Sequence, residues 1–200
     1  MKTPTTRFTE CGGFNVTELL ATCAILSVVA AAAVPQMLTG LDRMRLGMTL
    51  RDVDRELQFA RLKAVATSQP MRVRLNCPAA GQIRAVEVIG TATNPDPNDA
   101  DTVVTRCNET TYPYRPTGAD TNRLTRPNND GPIVRLYQGT TIVGQTLEFW
   151  GDGTVHTPCQ AQCNPITPVT QIGTATITVT RKGVSKNITV NGLGKIQSDR

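Results

Sequence analysis

The chain has 200 residues, a formal net charge of +5 and an ordinary hydrophobic content of 39%. Only 18% of the residues are charged, and Thr, Asn, Pro and Gly are abundant, which argues against a helical bundle and favours short strands with polar loops. This length accommodates one domain with an appendage. The modest positive charge permits contact with nucleic acid or anionic lipid without requiring it.

An apolar segment at residues 14–38 is the first element along the chain. At about 1.5 Å per residue, a helix of this length crosses a hydrocarbon core of about 30 Å. Lys2 and Arg7 precede the segment and provide the positive flank expected on the cytoplasmic side. The sequence therefore predicts a membrane-spanning helix, although Glu18 lies near its start.

Two interpretations of this segment compete. A signal peptide would be cleaved at the small residues 30–33 and would release a secreted, disulfide-stabilised binding module. Glu18 argues against cleavage there, because an ionisable group costs roughly 2.5–3.5 kcal/mol near the membrane centre and usually marks a function with a partner nearby. We therefore favour a helix that is retained in the mature protein.

The stretch "GFNVTELL", which begins at Gly13, resembles the class III leader junction of type IV pilins and pseudopilins. The resemblance implies that a prepilin peptidase cuts after Gly13, removing the leader at residues 1–13, and that the new N-terminal Phe14 is N-methylated. It also implies that Glu18 pairs with the N-terminal amine of a neighbouring subunit. Pro35 matches a proline that commonly kinks the helix in this family.

Elementary electrostatics agrees with the implied role of Glu18. Cleavage creates a positive amine at the edge of the apolar helix, and Glu18 places a negative charge about one helical turn further on. Between packed subunits, each charge offsets the desolvation cost of the other, and the pair sets the axial register. We therefore expect Glu18 to act in assembly.

The helix is expected to continue through residues 39–69 on the periplasmic side. Apolar residues recur there at spacings of four and three and form one stripe: Leu46, Leu50, Val53, Leu57, Ala60 and Ala64. Charged residues lie off the stripe, on a face expected to be solvated: Arg43, Arg51, Asp52, Arg55 and Glu56. Pro70 predicts that the helix ends at about residue 67.

Residues 70–200 are predicted to form a β-rich globular domain. The stretch "MRVRLNC" at 71–77 alternates apolar and polar residues, as a half-buried strand does, with Arg72 and Arg74 on the polar face. Further strands are predicted at residues 83–89, 132–137 and 145–150. The last two predicted strands form an antiparallel hairpin around a turn at residues 181–183: 175–180 and 186–191.

Two long polar loops, at residues 90–131 and 156–170, interrupt the strands, and loops of this length are usually functional or disordered. Four of the six cysteines lie in this polar part of the chain, an even number that is typical of an exported protein in an oxidising compartment: Cys77, Cys107, Cys159 and Cys163. Two disulfides follow if the chain is exported. Three connectivities are possible, and the sequence leaves the choice among them open.

The layout of this part resembles the GspH/FimT family of minor pilins and pseudopilins. The matching stretches are "ARLKAVATSQPMRVRL", "LEFWGDGTV" and "ITVNGLGKIQ". Members that bind DNA resemble one another in a basic Gly-Arg-x-Arg near the C-terminus, where this chain has "GLGKIQ". DNA contact by this chain is therefore not favoured, and the basic residues that would serve it are Arg181, Lys182, Lys195 and Arg200.

Catalytic and metal chemistry find little support in the sequence. His156 with Cys159 and Cys163 is a conceivable zinc set, but a fourth ligand is needed and an oxidising compartment favours disulfides. No nucleophile elbow accompanies the single histidine, and the aspartates of residues 94–101 lack EF-hand spacing. We expect no enzymatic activity, no metal and no cofactor.

The sequence thus predicts an α+β protein of type IV pilin-like fold. A long N-terminal helix, membrane-embedded in its first half, packs on a small antiparallel β-sheet domain with long disulfide-held loops. The expected function is that of a structural subunit, a minor pilin or pseudopilin that primes or tips assembly of a type IV pilus or a type II secretion pseudopilus. Its expected partners are other filament subunits, the prepilin peptidase and the inner membrane, with the C-terminal domain in the periplasm.

Overall fold

The computed structural model describes residues 15–91, 94–95, 104–114, 129–158 and 171–199. The predicted leader, Gly13 and Phe14 lie outside these residues, as do Cys159, Cys163 and Arg200. The chain divides into two compact units, the first ending at Leu41 and the second beginning at Asp42. Each unit is described by itself.

One α-helix, α1 (Val16–Thr67), runs through the first unit from Val16 to Leu41 and continues into the second unit from Asp42 to Thr67. It begins after Asn15, whose carbonyl accepts hydrogen bonds from the backbone N–H groups of Glu18 and Leu19 at 3.0 and 3.1 Å. It ends before Ser68, which has a positive φ of 51°. The prediction that one helix ends at about residue 67 is confirmed.

In the second unit, α1 buries the apolar stripe that its spacing predicts. Leu46, Leu50, Val53, Leu57, Ala60 and Ala64 are all buried and belong to the main hydrophobic core. The charged face behaves differently at one position, because Glu56 is only 8% exposed. The expectation that Glu56 would be solvated is therefore wrong; its side chain lies against the sheet at Ala85 and Gly131.

The larger sheet of the second unit has five antiparallel strands in the order β5-β2-β1-β7-β8. Its central hairpin pairs Met71 with Glu87 and Leu75 with Ile83. The strands are β1 (Met71–Leu75), β2 (Gln82–Glu87), β5 (Val134–Arg135), β7 (Leu147–Phe149) and β8 (Val155–His156). The predicted strands at 83–89, 132–137 and 145–150 are present but shorter.

The interpretation of β1 as half-buried is wrong. Arg72 and Arg74 are buried together with Met71 and Val73, so both faces of this strand are covered. The reason is the side chains around its polar face: β1 is paired with β2 and β7 on its two edges, and Glu148 of β7 lies directly beside Arg72. Its polar face is satisfied by buried partners instead of water, and Glu148 on β7 accepts two hydrogen bonds from Arg72.

A second sheet has four antiparallel strands in the order β11-β10-β9-β6. The predicted hairpin is confirmed: β9 and β10 pair from Val184↔Arg181 to Asn191↔Thr174. Lys182 and Gly183 form its turn, both with positive φ (45° and 80°), as a two-residue hairpin turn of the primed type requires. The strands are β6 (Thr140–Val143), β9 (Thr174–Arg181), β10 (Val184–Asn191) and β11 (Ile196–Ser198).

The hydrophobic core joins α1 to both of these sheets. Ala175, Ile177 and Val179 of β9 point inward, as predicted, and Ile188 and Val190 of β10 complete that face. A short pair, β3 (Gly90–Thr91) with β4 (Asn94–Pro95), follows β2. A 3₁₀ turn, Val104–Cys107, brings Cys107 to Cys77, and the two form a disulfide. The fold is therefore α+β, with a long N-terminal helix and antiparallel sheets.

Candidate functional site: the N-terminal half of helix α1

The first unit presents an apolar surface without any cover from the described residues. Every residue from 15 to 40 is exposed, including Leu20 at 66% and Val28 at 71%. A helix of this length and composition is able to cross a membrane. Such a contiguous apolar surface on a protein marks contact with lipid or with other proteins.

The hydroxyl groups in this segment are satisfied within the helix itself. Thr22 donates to the Leu19 carbonyl at 2.8 Å, Ser27 to Ala24 at 2.7 Å and Thr39 to Pro35 at 3.0 Å. These bonds remove the penalty that an unpaired hydroxyl carries in an apolar environment. These three hydroxyl residues are therefore compatible with a membrane-spanning helix.

Glu18 is the exception, since its carboxylate lies in the first turn of α1 and is exposed. Among the residues that the structure describes, no hydrogen bond or ion pair reaches this carboxylate. The helix N-terminus favours a negative charge here by roughly 0.3–1 kcal/mol, which is less than the cost of leaving it bare in an apolar medium. A positively charged partner would therefore stabilise the Glu18 carboxylate in an apolar environment.

Pro35, the other predicted site residue of this segment, lies inside α1. The kink expected there stays a prediction, as do the cleavage after Gly13 and the methylation of Phe14. Cys23 in the same segment is a free, exposed cysteine. Glu18 and Pro35 are thus on one helix, 17 positions apart by their numbers.

Two of the predicted DNA-contact residues are engaged in an ion-pair cluster of the second unit. The Asp42 carboxylate accepts from Arg181 Nε and Nη2 at 3.0 and 2.9 Å and lies 2.8 Å from Lys182 Nζ. These two partners lower the pKa of Asp42 below its usual value, Lys182 most strongly. Arg45 and Arg181 both contact the Tyr137 ring, and their guanidinium carbons are 4.8 and 4.7 Å from its centroid.

The cluster fastens the β9–β10 turn to α1 within the second unit. Arg181 is 7% exposed and also donates to the Gln138 carbonyl. Lys195 is exposed, on the turn before β11. The described residues therefore do not bring Arg181, Lys182 and Lys195 together as one free basic surface, and DNA contact stays a prediction.

A buried polar network that the sequence analysis missed holds parts of the 90–131 loop. Arg106 is fully buried and pairs with Asp130 through both terminal nitrogens, at 2.9 and 3.0 Å. Arg84, also fully buried, donates to the carbonyls of Gly131, Arg106 and Tyr112 at 3.0, 3.2 and 2.5 Å. The Asp130 carboxylate further accepts from the Glu87 amide at 2.8 Å.

These contacts make the network a structural feature. Each buried arginine points its donors at several acceptors, as a desolvated guanidinium requires, and burial lowers the pKa of Arg84. The Arg106 guanidinium also lies 4.3 Å from the Tyr112 ring centroid. With the Cys77–Cys107 disulfide, the network anchors described parts of a loop for which the sequence predicted a disulfide but not these buried ion pairs.

His156, the single histidine of the chain, packs against other side chains. Its ring stacks on Trp150 with centroids 4.4 Å apart, and its Nε2 lies 2.8 Å from the Thr154 hydroxyl. Cys159 and Cys163 lie outside the described residues, so the second disulfide stays a prediction. The described neighbours of His156 give it a packing role.

Comparisons with known proteins gave structural matches only. No family model matches the sequence, and no curated protein does. Two crystal forms of the type IV minor pilin FimU from Pseudomonas aeruginosa (strain PAO1) are similar at 13% and 12% identity, with TM-scores of 0.45 and 0.43. They cover 80% and 77% of this chain, and 91% and 92% of theirs.

The minor pseudopilin EpsH from the type II secretion system of Vibrio cholerae is similar at 10% identity and a TM-score of 0.43, over 78% of this chain and 96% of that chain. At such low identity and TM-score, a likeness does not assign a family. The described residues themselves show a long N-terminal helix with an exposed apolar half and a carboxylate in its first turn, followed by antiparallel sheets.

Proposed function

We propose that this chain is a non-enzymatic structural subunit of a type IV filament system, a minor pilin or pseudopilin. The observation that carries the proposal is the bare Glu18 carboxylate at the start of an exposed apolar helix. Glu18 is the fifth residue of the proposed mature chain, which begins at Phe14 once the Gly13–Phe14 bond is cut. A membrane anchor alone has no use for a charge at that place.

In this proposal, the apolar half of α1 has two roles, one in the membrane and one in the filament. Before assembly it crosses the inner membrane once, with the positively flanked N-terminus in the cytoplasm. After assembly the same surface packs against the helices of neighbouring subunits. Both environments bury apolar area at roughly 25 cal/mol per Å², so the helix moves from one to the other without a large change in free energy.

Glu18 makes the packed state specific. The prepilin peptidase removes residues 1–13, and the methylated amine of Phe14 on one subunit meets Glu18 on the next. A pair that is slipped by one turn leaves both charges buried and unpaired, at a cost of about 3–5 kcal/mol. The charge pair therefore sets the axial register of the filament core.

The second unit supplies the periplasmic body. Its core joins α1 to two sheets, and a disulfide between Cys77 and Cys107 fits an oxidising compartment. In a type IV pilus or a type II secretion pseudopilus, such a body at the filament end primes or tips assembly. DNA uptake is a weaker candidate, because Asp42 already pairs with Arg181 and Lys182.

The test is filament incorporation of Glu18 variants in cells that carry the native assembly system. We expect Glu18→Ala and Glu18→Gln to be cleaved and inserted in the membrane, while the fraction recovered in sheared filaments falls about tenfold or more, the equivalent of about 1.4 kcal/mol. Thr17→Ala, in the same helical turn, is the matched control and is expected to assemble normally. Normal incorporation of Glu18→Ala would contradict the role of Glu18 in assembly.

A further inference from the structure

A groove in the second unit lies between the last turns of α1 and the segment that leads into β11. Its volume is about 680 Å³. Leu62 and Val65 line it from α1, and Lys195 and Ile196 line it from the opposite side. All of its lining residues lie inside described segments of the chain. The groove is separate from the apolar half of α1 and from the buried arginine network.

Aliphatic side chains are exposed on both sides of this groove. Leu62 is 71% exposed and Val65 is 47% exposed on the helix side. Leu193, in the turn before β11, is also 71% exposed, whereas Ile196 is partly buried and packs against the main core. Aliphatic side chains that are grouped on a concave surface and left open to water are typical of a binding site.

The charges that line the groove are all positive. Arg61 contributes one from α1 and Lys195 contributes the other, and no aspartate or glutamate lines the groove. Among the residues that the structure describes, neither cation makes an ion pair with a carboxylate. The groove therefore presents two positive charges that the described chain leaves without a negative partner.

The guanidinium of Arg61 is poorly satisfied by the described chain. Its Nη2 donates one long hydrogen bond, of 3.5 Å, to the Leu193 carbonyl. Its Nε is shielded from solvent without a hydrogen-bond partner among the described residues, and Gly194 lies against it, since a Cβ added there would be 2.6 Å from Nε. A guanidinium has five N–H donors, and its strongest hydrogen bonds go to carboxylates. Because the chain itself covers Nε, the terminal nitrogens are the donors left for a ligand.

We propose that this groove is a docking site for a partner protein, which inserts a segment with an aliphatic side chain next to an aspartate or glutamate. The carboxylate accepts hydrogen bonds from the terminal nitrogens of Arg61 and from Lys195, and the aliphatic side chain packs on Leu62 and Val65. Charge complementarity selects this occupant, because the lining cations lack a negative partner. A nucleic acid fits less well, since phosphate backbones are held by many cations and offer no aliphatic group. The inference does not depend on the proposed function.

The test is an NMR titration of the full-length chain in detergent micelles with ¹³C-labelled isoleucine methyl groups. The Ile196 signal is assigned with Ile196→Val, and Ile142, which is buried on β6 outside the groove, is the reference. The probe is the peptide acetyl-Leu-Glu-Leu-amide, and acetyl-Leu-Gln-Leu-amide is the neutral control. We expect saturable shifts of Ile196 with the Glu peptide, while Ile142 stays unchanged and the Gln peptide binds about tenfold or more weakly.

Matched variants decide whether the two lining cations are responsible. Arg61→Met keeps the aliphatic stem and removes the charge, and Lys195→Gln changes an exposed side chain; we expect each to weaken binding of the Glu peptide about fivefold or more. Arg51→Gln removes one positive charge from the same helix outside the groove, and we expect a change of less than about twofold. Equal affinity for the two peptides, unchanged affinity in Lys195→Gln and Arg61→Met, or no saturable shift at all would each overturn the proposal.

The same Ile196 signal distinguishes the other possible occupants. Acetate that binds as tightly as the Glu peptide would show a site for bare anions without an apolar contribution. A short DNA duplex that shifts Ile196 at a lower concentration than the Glu peptide would assign the groove to nucleic acid. Shifts of Ile196 on dilution of the protein alone would assign it to a second copy of this chain. Each of these three results would overturn the proposal, and their absence beside saturable binding of the Glu peptide supports it.

Discussion

At the scale of single residues, the buried charges of this chain are the features that a local pattern does not reveal. The alternation in "MRVRL" assigns Arg72 to a polar face, which is correct, and that face is covered by a partner 76 positions away, Glu148. Arg106 likewise finds Asp130 24 positions away. Periodicity indicates which face a residue lies on, but it holds no information about what covers that face.

The Arg72–Glu148 pair leads to a stability prediction. Both side chains are nearly fully buried, and Nη2 lies 2.6 Å from Oε1. Glu148→Leu leaves a buried guanidinium without this carboxylate, so we expect unfolding to become easier by about 3–5 kcal/mol. The double variant Arg72→Met with Glu148→Leu removes both charges, and we expect it to recover most of that loss.

Urea unfolding followed by Trp150 fluorescence measures both variants, since Trp150 is the single tryptophan of the chain and lies next to β7. The full-length protein in detergent micelles is the sample. A loss below about 1 kcal/mol for Glu148→Leu would show that the pair contributes no more than an exposed one does.

The raised pKa of Glu56 leads to a pH prediction. A carboxyl whose pKa is higher in the folded state than in the unfolded state contributes stability below its unfolded pKa of about 4.3, and this contribution is lost as pH rises through the folded pKa. Glu56→Gln carries no charge at any pH. Its stability relative to the wild type is therefore expected to increase between pH 4 and pH 7.

The same urea titration, repeated across this pH range, provides the measurement. Asp54→Asn is the control, because the Asp54 side chain is only partly buried and its carboxylate accepts a hydrogen bond from Gln58 at 3.0 Å. A stability of Glu56→Gln relative to the wild type that stays constant or falls as pH rises would contradict a raised pKa.

At the scale of elements, long periodic segments were predictable, whereas strands β8 and β11 were not. The stripe from Leu46 to Ala64 and the β9–β10 hairpin follow from spacing alone, because each repeats its pattern over several turns or pairs. β8 has two residues and β11 has three, too few for a period. Their positions come from pairing with β7 and β10.

Gly194, just before β11, shows how closely this region is packed. Its φ is +76°, and an added Cβ would lie 2.3 Å from the Gly153 carbonyl oxygen. We expect Gly194→Ala to destabilise the second unit by about 2–3 kcal/mol. Gly173→Ala is the control, since its φ is outside the left-handed region and no atom lies within 4 Å of the added Cβ.

Thermal unfolding by circular dichroism compares the two variants. We expect Gly173→Ala to stay within about 0.5 kcal/mol of the wild type, as substitutions away from special features do. Equal behaviour of the two alanine variants would contradict the close approach of the Gly194 turn to Gly153.

At the scale of the whole molecule, the two units differ in where their apolar residues lie. The first unit exposes apolar residues along its described length, and the second buries a shared core of helix and sheets. The sequence predicted this division from composition, because the apolar residues concentrate at 14–38. It did not predict the burial of Glu56, since that burial depends on how α1 meets Ala85 and Gly131 in three dimensions.

The central claim is that the mature subunit begins at Phe14 and places Glu18 one turn beyond its amine. Intact-mass and N-terminal peptide mass spectrometry of the protein purified from its own cell membranes tests this claim most directly. We expect an N-terminal peptide that begins at Phe14 and is one methyl group heavier than its unmodified mass. An unmodified N-terminus near Val34, as signal-peptide cleavage would leave, would contradict the account.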